Sequence, residues 1–307
     1  FTSGDCPPLR SNPAVVNVLP IPTVTQQPTP LQSLCVGGAI PSALIVGHSG
    51  GTGTITYQWY SNTINSNTGG TPISGANSSN YLPGVFNTVG TYYYYATISI
   101  SGNGCGNLVS DVATINVVDD PIVTSQPIVI QNLCLNATPS NLEVAVTGGI
   151  GAYSYQWYSN NANNNTTGTL ISGATNTSYT PPTNVIGTLY YYAIITQTGA
   201  GCSVVSNVAE IRVNIIPTLT TQPVSSTVCV DGTPAQLSVG YTNGFGTPTY
   251  QWYSNTTNSV SGAVAISGAT NSTFNPTSTI SGTFYYFAVI TFPTGGCGDL
   301  ISDIATV

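Results

Sequence analysis

The sequence predicts an all-β protein, built as a tandem array of small two-layer β-sandwiches. First, the hexapeptide Tyr-Gln-Trp-Tyr-Ser-Asn around Trp59 returns around Trp157 and Trp252, and the chain has no other Trp. A period near a hundred residues is too long for a solenoid repeat and suits a string of independent domains. Second, the chain is rich in strand-forming residues, including 19 Tyr, and shows no helical period. Third, each repeat contains about seven short strand signals separated by turn residues, which is typical of a two-sheet sandwich.

The strand signals of the first repeat come at regular intervals along the chain. The predicted strand over residues 91–100 shows the clearest alternation and places Tyr94 on its more apolar, inward face. The predicted cores therefore contain Trp59, Trp157 and Trp252 together with Tyr94, Tyr191 and Tyr286. The last three are also candidates for a tyrosine corner, in which the hydroxyl bonds a nearby backbone group. The full set of predicted strands is 24–27, 43–48, 54–60, 72–74, 78–82, 91–100 and 107–118.

Domain boundaries follow from the period. We predict repeats over residues 21–119, 120–216 and 217–307. Residues 1–20 are interpreted as the last strand of a preceding repeat, because the segment 6–18 aligns with 105–117. A donor strand for a neighbouring subunit is the rival interpretation, but every repeat carries its own copy of this strand. The repeats join through short segments that contain Pro121 and Pro217, which predicts a semi-rigid array.

The charge of the chain excludes several classes of partner. Only 4% of the residues are charged. Lys is absent, so the only basic residues besides His48 are Arg10 and Arg212, against nine Asp and Glu residues. Such a chain has no basic surface for nucleic acid. No apolar run approaches the roughly 20 residues of a membrane span, so we expect no direct membrane insertion. The sequence begins without Met or a signal peptide, and we expect it to be a mature part of a longer polypeptide.

A set of short motifs recurs in the repeats: Gln-Pro, Cys, Tyr-Gln-Trp-Tyr, Ile-Ser-Gly-Ala, Gly-Thr-Tyr-Tyr, Gly-Cys and Ser-Asx-x-Ala, where Asx is Asp or Asn. This pattern resembles the immunoglobulin-like repeats of large cell-surface proteins of Bacteroidota. Those proteins are exported by type IX secretion, and some are gliding-motility adhesins of the SprB type. The resemblance covers all three repeats. It implies immunoglobulin-like sandwiches on an extracellular, bacterial cell surface.

Seven cysteines occupy two positions of the repeat, and their strict spacing indicates disulfides. One position holds Cys35, Cys134 and Cys229; the other holds Cys6, Cys105, Cys202 and Cys297. Pairing within repeats would give Cys35–Cys105, Cys134–Cys202 and Cys229–Cys297. However, the two positions lie at opposite poles of a sandwich, about 33 Å apart along a ten-residue strand, and bridged Cα atoms lie within about 7 Å. Pairing between consecutive repeats, as Cys35–Cys202 and Cys134–Cys297, is therefore favoured, with Cys6, Cys105 and Cys229 paired to further repeats. The within-repeat pairing stays open.

The sequence contains no recognisable constellation for catalysis, and we expect no cofactor and no metal. His48 is the only His, the Gly-rich turn 50–53 lacks the Lys of a phosphate loop, and no paired Cys-x-x-Cys indicates zinc. Asp119 and Asp120 could contribute to a Ca²⁺ site at a junction, but the other junctions have no acidic counterpart. In the Ser-Asx-x-Ala motif, Asp111 alternates with Asn, so we expect it to make a local backbone hydrogen bond rather than transfer protons.

Two functions remain. The first is a non-enzymatic stalk segment of a bacterial cell-surface adhesin or extracellular filament, which holds a distal tip away from the outer membrane. Its partners would be neighbouring repeats of the same chain and other strands of a filament. The alternative is a carbohydrate-binding array that recognises surface glycans. It would use the outward-facing Tyr93, Tyr190 and Tyr285 and the Asn-rich loops 61–70, 159–168 and 254–262.

Overall fold

The computed structural model describes residues 4, 8–18, 20–102 and 106–307 and contains no helix within them. No helix in the described part could therefore cross a membrane. The all-β fold class is confirmed. The strands of the first repeat are β1 (Thr23–Gln26), β2 (Leu31–Cys35), β3 (Leu44–Ile45), β4 (Gly47–Ser49), β5 (Ile55–Asn62), β6 (Thr71–Pro72), β7 (Asn80–Tyr81), β8 (Gly90–Ile100), β9 (Leu108–Val109) and β10 (Ala113–Val118).

The second repeat reproduces this succession of strands, and the third, over the described residues 217–307, does so without a counterpart of β2. The second has β11 (Ile122–Ser125), β12 (Ile130–Cys134), β13 (Leu142–Glu143), β14 (Ala145–Thr147), β15 (Tyr153–Asn160), β16 (Thr169–Leu170), β17 (Ser178–Tyr179), β18 (Gly187–Gln197), β19 (Ser203–Val205) and β20 (Ala209–Asn214). The third has β21 (Thr218–Thr221), β22 (Leu237–Ser238), β23 (Gly240–Thr242), β24 (Thr249–Asn255), β25 (Val264–Ala265), β26 (Thr273–Phe274), β27 (Tyr285–Thr291), β28 (Leu300–Ile301) and β29 (Ala305–Thr306).

Each repeat is a two-layer sandwich of the immunoglobulin type. In the first, the larger sheet has the order β2-β10-β8-β5-β6, with β9 also on β8, and the smaller layer consists of the pairs β1-β4 and β3-β7. Strand β2 runs parallel to β10, whereas β10, β8 and β5 pair antiparallel. The second repeat has the same order, β12-β20-β18-β15-β16, and the third has β25-β24-β27-β28 with β29 on β27. Each sandwich has its own hydrophobic core, with its Trp fully buried.

The start of the first repeat differs from the prediction. The sequence predicts one strand there, residues 24–27, whereas the structure has two strands, β1 and β2. Strand β1 belongs to the smaller layer and β2 to the larger sheet. Pro28 and Pro30 lie between them and cannot donate to a ladder, so the chain leaves one layer and joins the other. Residues 31–35 alternate too weakly to be recognised from the sequence.

Residues 8–18 of the N-terminal segment form no strand and are exposed, and their interpretation as the last strand of a preceding repeat stays a prediction. A strand needs neighbours for its backbone groups, and no described residue pairs with this segment.

The last predicted strand of each repeat is interrupted by a buried serine. Ser110 is fully buried between β9 and β10; its hydroxyl accepts the Ala96 N–H at 2.9 Å and donates to the carbonyl of Asp111 at 2.8 Å. The equivalent hydroxyls of Ser206 and Ser302 accept the N–H groups of Ala193 and Ala288 at the same distance. The serine of the Ser-Asx-x-Ala motif thus satisfies a backbone N–H of the long central strand.

The Asx of this motif has a different role from the one predicted. Its backbone N–H, not its side chain, makes the repeated contact, donating to the side-chain oxygen of the Gln in the Gln-Pro motif. The pairs are Asp111 with Gln27 at 2.8 Å, Asn207 with Gln126 at 2.8 Å and Asp303 with Gln222 at 2.9 Å. Because the side chain is not needed, Asp and Asn are interchangeable there. Two motifs about 80 residues apart are therefore halves of one contact.

Replacing the buried serine should destabilise its own sandwich. Ser110→Ala leaves the buried N–H of Ala96 without an acceptor, which costs about 1–3 kcal/mol. Native-state hydrogen exchange of the β8 amides measures this loss of unfolding free energy for the first repeat alone. The exposed Ser74→Ala is the matched control and should change exchange by less than about 0.5 kcal/mol. Equal effects of the two variants would contradict the assigned role of Ser110.

The Gln and the Trp of the repeated hexapeptide make the same hydrogen bonds in each repeat. Trp59 Nε1 donates to the carbonyl of Ser78 at 2.9 Å, and Gln58 Nε2 donates to the carbonyls of Trp59 and Ile73, both at 2.8 Å. The same bonds recur from Trp157 to Asn176 and from Trp252 to Asn271. The ring nitrogen is thus satisfied inside the core, which allows the indole to be fully buried.

The predicted tyrosine corner is wrong in position. Tyr94 lies in the middle of β8 with its ring against Tyr81, and among the described residues its hydroxyl has no hydrogen-bond partner. Tyr92, near the start of β8, donates instead to the carbonyl of Thr88 at 2.9 Å, which is the bond of a tyrosine corner. Leu189 and Phe284 occupy this position in the other repeats, so neither can make it.

Burial of these tyrosines predicts an alkaline transition. Desolvation raises the pKa of Tyr94 to about 12, with smaller contributions from Tyr81 and Tyr92, and desolvation raises the pKa of Tyr191 to about 12 as well. The unfolded state loses these protons near pH 10, whereas the folded state keeps them, so stability falls between pH 10 and 12. Tyr94→Phe should make this fall shallower in hydrogen exchange of the first repeat. A pH dependence unchanged by the substitution would contradict the assignment.

Candidate functional site

Each repeat presents a cysteine in the same tight turn. The N–H three residues after the cysteine donates to the cysteine carbonyl at 2.9 Å in all three repeats. The residue two positions after the cysteine has positive φ: Gly37 at 79°, Asn136 at 64° and Asp231 at 63°. Gly, Asn and Asp adopt this conformation at the lowest cost. These cysteine turns are residues 35–38, 134–137 and 229–232.

A backbone hydrogen bond holds each cysteine turn against the loop that precedes the long central strand. The N–H of Gly37 donates to Phe86 at 2.7 Å, that of Asn136 to Thr183 at 2.9 Å and that of Asp231 to Ser278 at 2.9 Å. The third turn has this bond although Cys229 forms no disulfide with any described residue. The turn is therefore built by its own sandwich and does not depend on a disulfide.

The first compact unit contains residues 1–120 together with two short segments of the second repeat, 149–152 and 197–202. Cys35, at the end of β2, is bonded to Cys202, with a Cα–Cα distance of 5.6 Å. Cys202 is 2% exposed. Its loop is closed by the N–H of Gln197, which donates to the Cys202 carbonyl at 2.8 Å, and by the N–H of Thr198, which donates to Ala152 at 2.9 Å. Cys202 is thus buried in a loop that backbone hydrogen bonds hold in place.

The second compact unit contains residues 121–148, 153–196 and 203–307. Cys134, at the end of β12, is bonded to Cys297, with a Cα–Cα distance of 5.1 Å. Beside this bond, Asn214 Nδ2 donates to the carbonyl of Gly295 at 3.2 Å. Gly296 has φ of 65°, and a Cβ there would overlap the Asn132 carbonyl, so only glycine fits.

An aromatic and charged contact adjoins the second disulfide. The guanidinium carbon of Arg212 lies 4.9 Å from the centre of the Phe245 ring, and Arg212 also forms an ion pair with Glu210. A guanidinium over an aromatic face is an attractive cation–π arrangement. The second and third repeats are thus joined by a disulfide, a side-chain hydrogen bond and a cation–π contact.

The structure therefore joins cysteines of consecutive repeats, Cys35 with Cys202 and Cys134 with Cys297. The within-repeat alternatives Cys35–Cys105, Cys134–Cys202 and Cys229–Cys297 each need a cysteine that is already bonded elsewhere. Cys229 is exposed and is the free cysteine among the described residues. Cys6 and Cys105, which were expected to pair with further repeats, lie outside the described residues.

The candidate metal-binding and catalytic side chains of the sequence do not assemble into a complete site among the described residues. In the described part of the chain, Cys35, Asp120 and Cys202 form the one group whose ligand atoms lie close enough for a metal ion, within 4.8 Å. Its two sulfurs are bonded to each other, which leaves a single carboxylate ligand, and Ca²⁺ takes six to eight oxygens. His48 Nδ1 lies 3.4 Å from the Tyr57 hydroxyl.

The Asn-rich loops, candidates for glycan binding, use several of their polar groups internally. Asn62 Nδ2 donates to the carbonyls of Ser66 and Thr68, and Asn67 Nδ2 reaches the carbonyl of Ser110 at 3.1 Å. Asn160, Asn165 and Asn255 make equivalent bonds in the other repeats. These amides shape and anchor the loops, so they are not free for a sugar.

The solvent-side aromatic residues are paired with one another. The Tyr95 ring is 4% exposed and stacks on Tyr60 at 5.0 Å, and the N–H of Gly70 donates to its hydroxyl at 3.0 Å. Tyr158 with Tyr192 and Tyr253 with Phe287 stack in the same way, at 5.2 Å. The predicted outward column, Tyr93, Tyr190 and Tyr285, is half-buried. The sheet thus offers no open row of fully exposed rings.

Comparison with protein-family models gives one match that recurs three times. The model is described as a domain of unknown function, DUF8696, and it matches residues 26–119, 128–215 and 219–307. The chain belongs to the DUF8696 family. Each DUF8696 match contains one Trp-centred core and its cysteine turn. Comparison with curated proteins gave no match.

Solved structures with a likeness to these DUF8696 repeats include tandem immunoglobulin domains. An I-band fragment of titin is 13% identical, with 95% of this chain and 98% of that chain covered and a TM-score of 0.49. Extracellular domains 3–5 of Drosophila OTK are 15% identical, with 96% and 98% covered and a TM-score of 0.41. Fibronectin(III)-like modules of Clostridium thermocellum CbhA are 13% identical, with 64% and 95% covered and a TM-score of 0.34. Nothing about function follows from these likenesses.

Proposed function

We propose that this chain is a load-bearing stalk segment of a bacterial cell-surface adhesin or extracellular filament, which holds a distal adhesive tip away from the outer membrane. The observation that carries the proposal is the pair of interleaved disulfides, which join cysteines 167 and 163 residues apart. Each bond links one repeat to the next. A single domain gains nothing from such links, whereas an array under tension does.

The two bonds shorten the covalent path between the ends of the chain. The shortest route runs from residue 1 to Cys35, crosses to Cys202, returns along the chain to Cys134, crosses to Cys297 and continues to residue 307. Residues 36–133 and 203–296 lie outside this route. These two segments contain Trp59 and Trp252, so tension cannot pull the central strands of the first and third cores apart end to end.

The sheet geometry supports the same role. Strand β2 pairs with β10 in parallel over five residue pairs, and β12 pairs with β20 in the same manner. Because β10 and β20 lie in the segments outside the shortest covalent route, tension on the oxidised chain does not pull these parallel pairs apart by their ends. The connections between repeats are short, because only residues 119–121 separate β10 from β11 and 215–217 separate β20 from β21.

The disulfides support an extracellular location, and the motif pattern supports the finer assignment that we propose. Two disulfides in a tandem immunoglobulin-like array indicate a compartment outside the reducing cytosol. The resemblance to surface repeats of Bacteroidota supports export by type IX secretion to the bacterial cell surface. It also supports membership in an adhesin of the gliding-motility type. Neighbouring repeats and other filament strands are the partners we propose.

A carbohydrate-binding function has less support. The Asn side chains of the loops make internal hydrogen bonds, and the solvent-side rings stack on one another. No described residue of the chain suggests catalysis, and we propose a non-enzymatic role.

Electron microscopy of intact producing cells, with gold-labelled antibody against residues 21–307, tests this function. We expect gold particles at a constant distance outside the outer membrane, on thin projections. Label confined to the cell interior, or lying directly on the membrane, would contradict the proposal. A glycan array probed with the purified chain tests the alternative, and saturable binding there would favour it.

A further inference from the structure

A cavity of about 360 Å³ opens in the second repeat beside the loop that leads into β18. Its walls are mostly apolar and include Val185, Ile186, Leu189 and Ile211. Val185 is 70% exposed and Ile186 48% exposed. Among the described residues that line this cavity none is charged. These properties suit a neutral, largely apolar ligand group.

In the other two repeats an aromatic ring lies beside the equivalent glycine, and the third repeat keeps a smaller cavity of about 160 Å³ there, lined by Ile280, Gly282 and Phe284. A Cβ placed on Gly90 would lie 3.7 Å from the Tyr92 ring, and one placed on Gly282 would lie 3.6 Å from the Phe284 ring. A Cβ placed on Gly187, the matching residue, meets nothing within 4 Å. The difference arises because Leu189 replaces the aromatic residue. The larger cavity of the second repeat therefore includes the space that an aromatic ring occupies in the other two.

The first repeat shows which chemistry this space accepts. The Tyr92 ring lies against the Phe86 ring, with 4.9 Å between their centres, and its hydroxyl donates to the carbonyl of Thr88 at 2.9 Å. Thr88 precedes Tyr92 by four residues, as Val185 precedes Leu189. The backbone carbonyl of Val185 is thus the equivalent acceptor.

We propose that the cavity above Gly187 is a binding site for a p-hydroxyphenyl group, whose ring lies over Gly187 and whose hydroxyl donates to the Val185 carbonyl. The ring covers the exposed faces of Val185 and Ile186, which removes apolar surface from water. The site is separate from the disulfides and does not depend on the stalk function.

Titration of the oxidised full chain with p-cresol, followed by the NMR signal of the Gly187 amide, tests the site. We expect a saturable shift with a dissociation constant on the order of 1 mM, in keeping with a ligand of this size. 4-Methylanisole, which cannot donate a hydrogen bond, should bind about fivefold more weakly. N-acetyltyrosinamide forms the second arm: its binding identifies a tyrosine side chain as the source of the group, and binding of p-cresol alone identifies a small phenol.

Two variants provide the controls. Leu189→Tyr fills the cavity with the chain's own ring and should abolish the shift at Gly187. Tyr92→Leu opens the matching space in the first repeat and should create a new saturable shift at Gly90. If Tyr92→Leu fails to fold, Leu189→Tyr alone decides. The absence of a saturable shift at Gly187 in the unmodified chain, or an unchanged shift in Leu189→Tyr, overturns the proposal.

Discussion

Pulled from both ends, the oxidised chain should extend to no more than about 400 Å, against about 1100 Å once its disulfides are reduced. The limit follows from the shortest covalent path, which omits residues 36–133 and 203–296 and so removes about 190 residues from the stretched length. Single-molecule force spectroscopy with handles at residues 1 and 307 measures this length directly.

Serine variants should give intermediate lengths. Cys35→Ser removes one bond and Cys134→Ser removes the other, and either variant leaves a path of about 500 Å. Cys229→Ser is the matched control, because Cys229 is free among the described residues, and it should leave the length at about 400 Å. Equal lengths with and without reductant would show that the bonds do not limit extension.

Removing the Trp of the middle core should destabilise the second repeat more than any exposed substitution. Trp157 is fully buried, and its ring packs against the Tyr179 ring with 6.0 Å between the ring centres. Its Nε1 donates a hydrogen bond to the carbonyl of Asn176 at 2.9 Å. Trp157→Ala leaves a large cavity and an unsatisfied carbonyl, at a cost of about 3–5 kcal/mol. This is a large part of the stability of a small domain, about 5–15 kcal/mol.

Hydrogen exchange of the β15 and β18 amides measures this loss within the second repeat. Leu170→Ala is the matched control: Leu170 is 53% exposed on the edge strand β16, and its truncation should cost less than about 0.5 kcal/mol. A cost below about 1 kcal/mol for Trp157→Ala would mean that the core is not built around this residue.

The fold was predictable because its signals are local and occur three times. The Trp hexapeptide and the alternation in β8 mark two central strands without knowledge of the partners. The edge strand β2 was missed because its regularity comes from pairing with β10, and its own alternation is weak. The tyrosine corner was assigned to Tyr94 because alternation indicates which face a residue occupies, but not where along the strand a bend begins.

Other contacts were beyond the sequence because they join segments far apart in the chain. Nothing in Gln27 alone indicates that its side chain accepts the N–H of Asp111. The repetition of both Gln-Pro and Ser-Asx-x-Ala was a signal that the two motifs have linked roles. The cavity above Gly187 likewise appears only when the three repeats are compared in space, since Leu189 is an ordinary apolar residue in the sequence.

Peptide mapping of the chain under non-reducing conditions tests the disulfide pairing on which the mechanical account depends. Pepsin is suitable, because acid suppresses thiol–disulfide exchange and the chain has only two sites for trypsin. The account predicts linked peptides that contain Cys35 with Cys202 and Cys134 with Cys297. Linked peptides that contain Cys134 with Cys202, or Cys229 with Cys297, would contradict it.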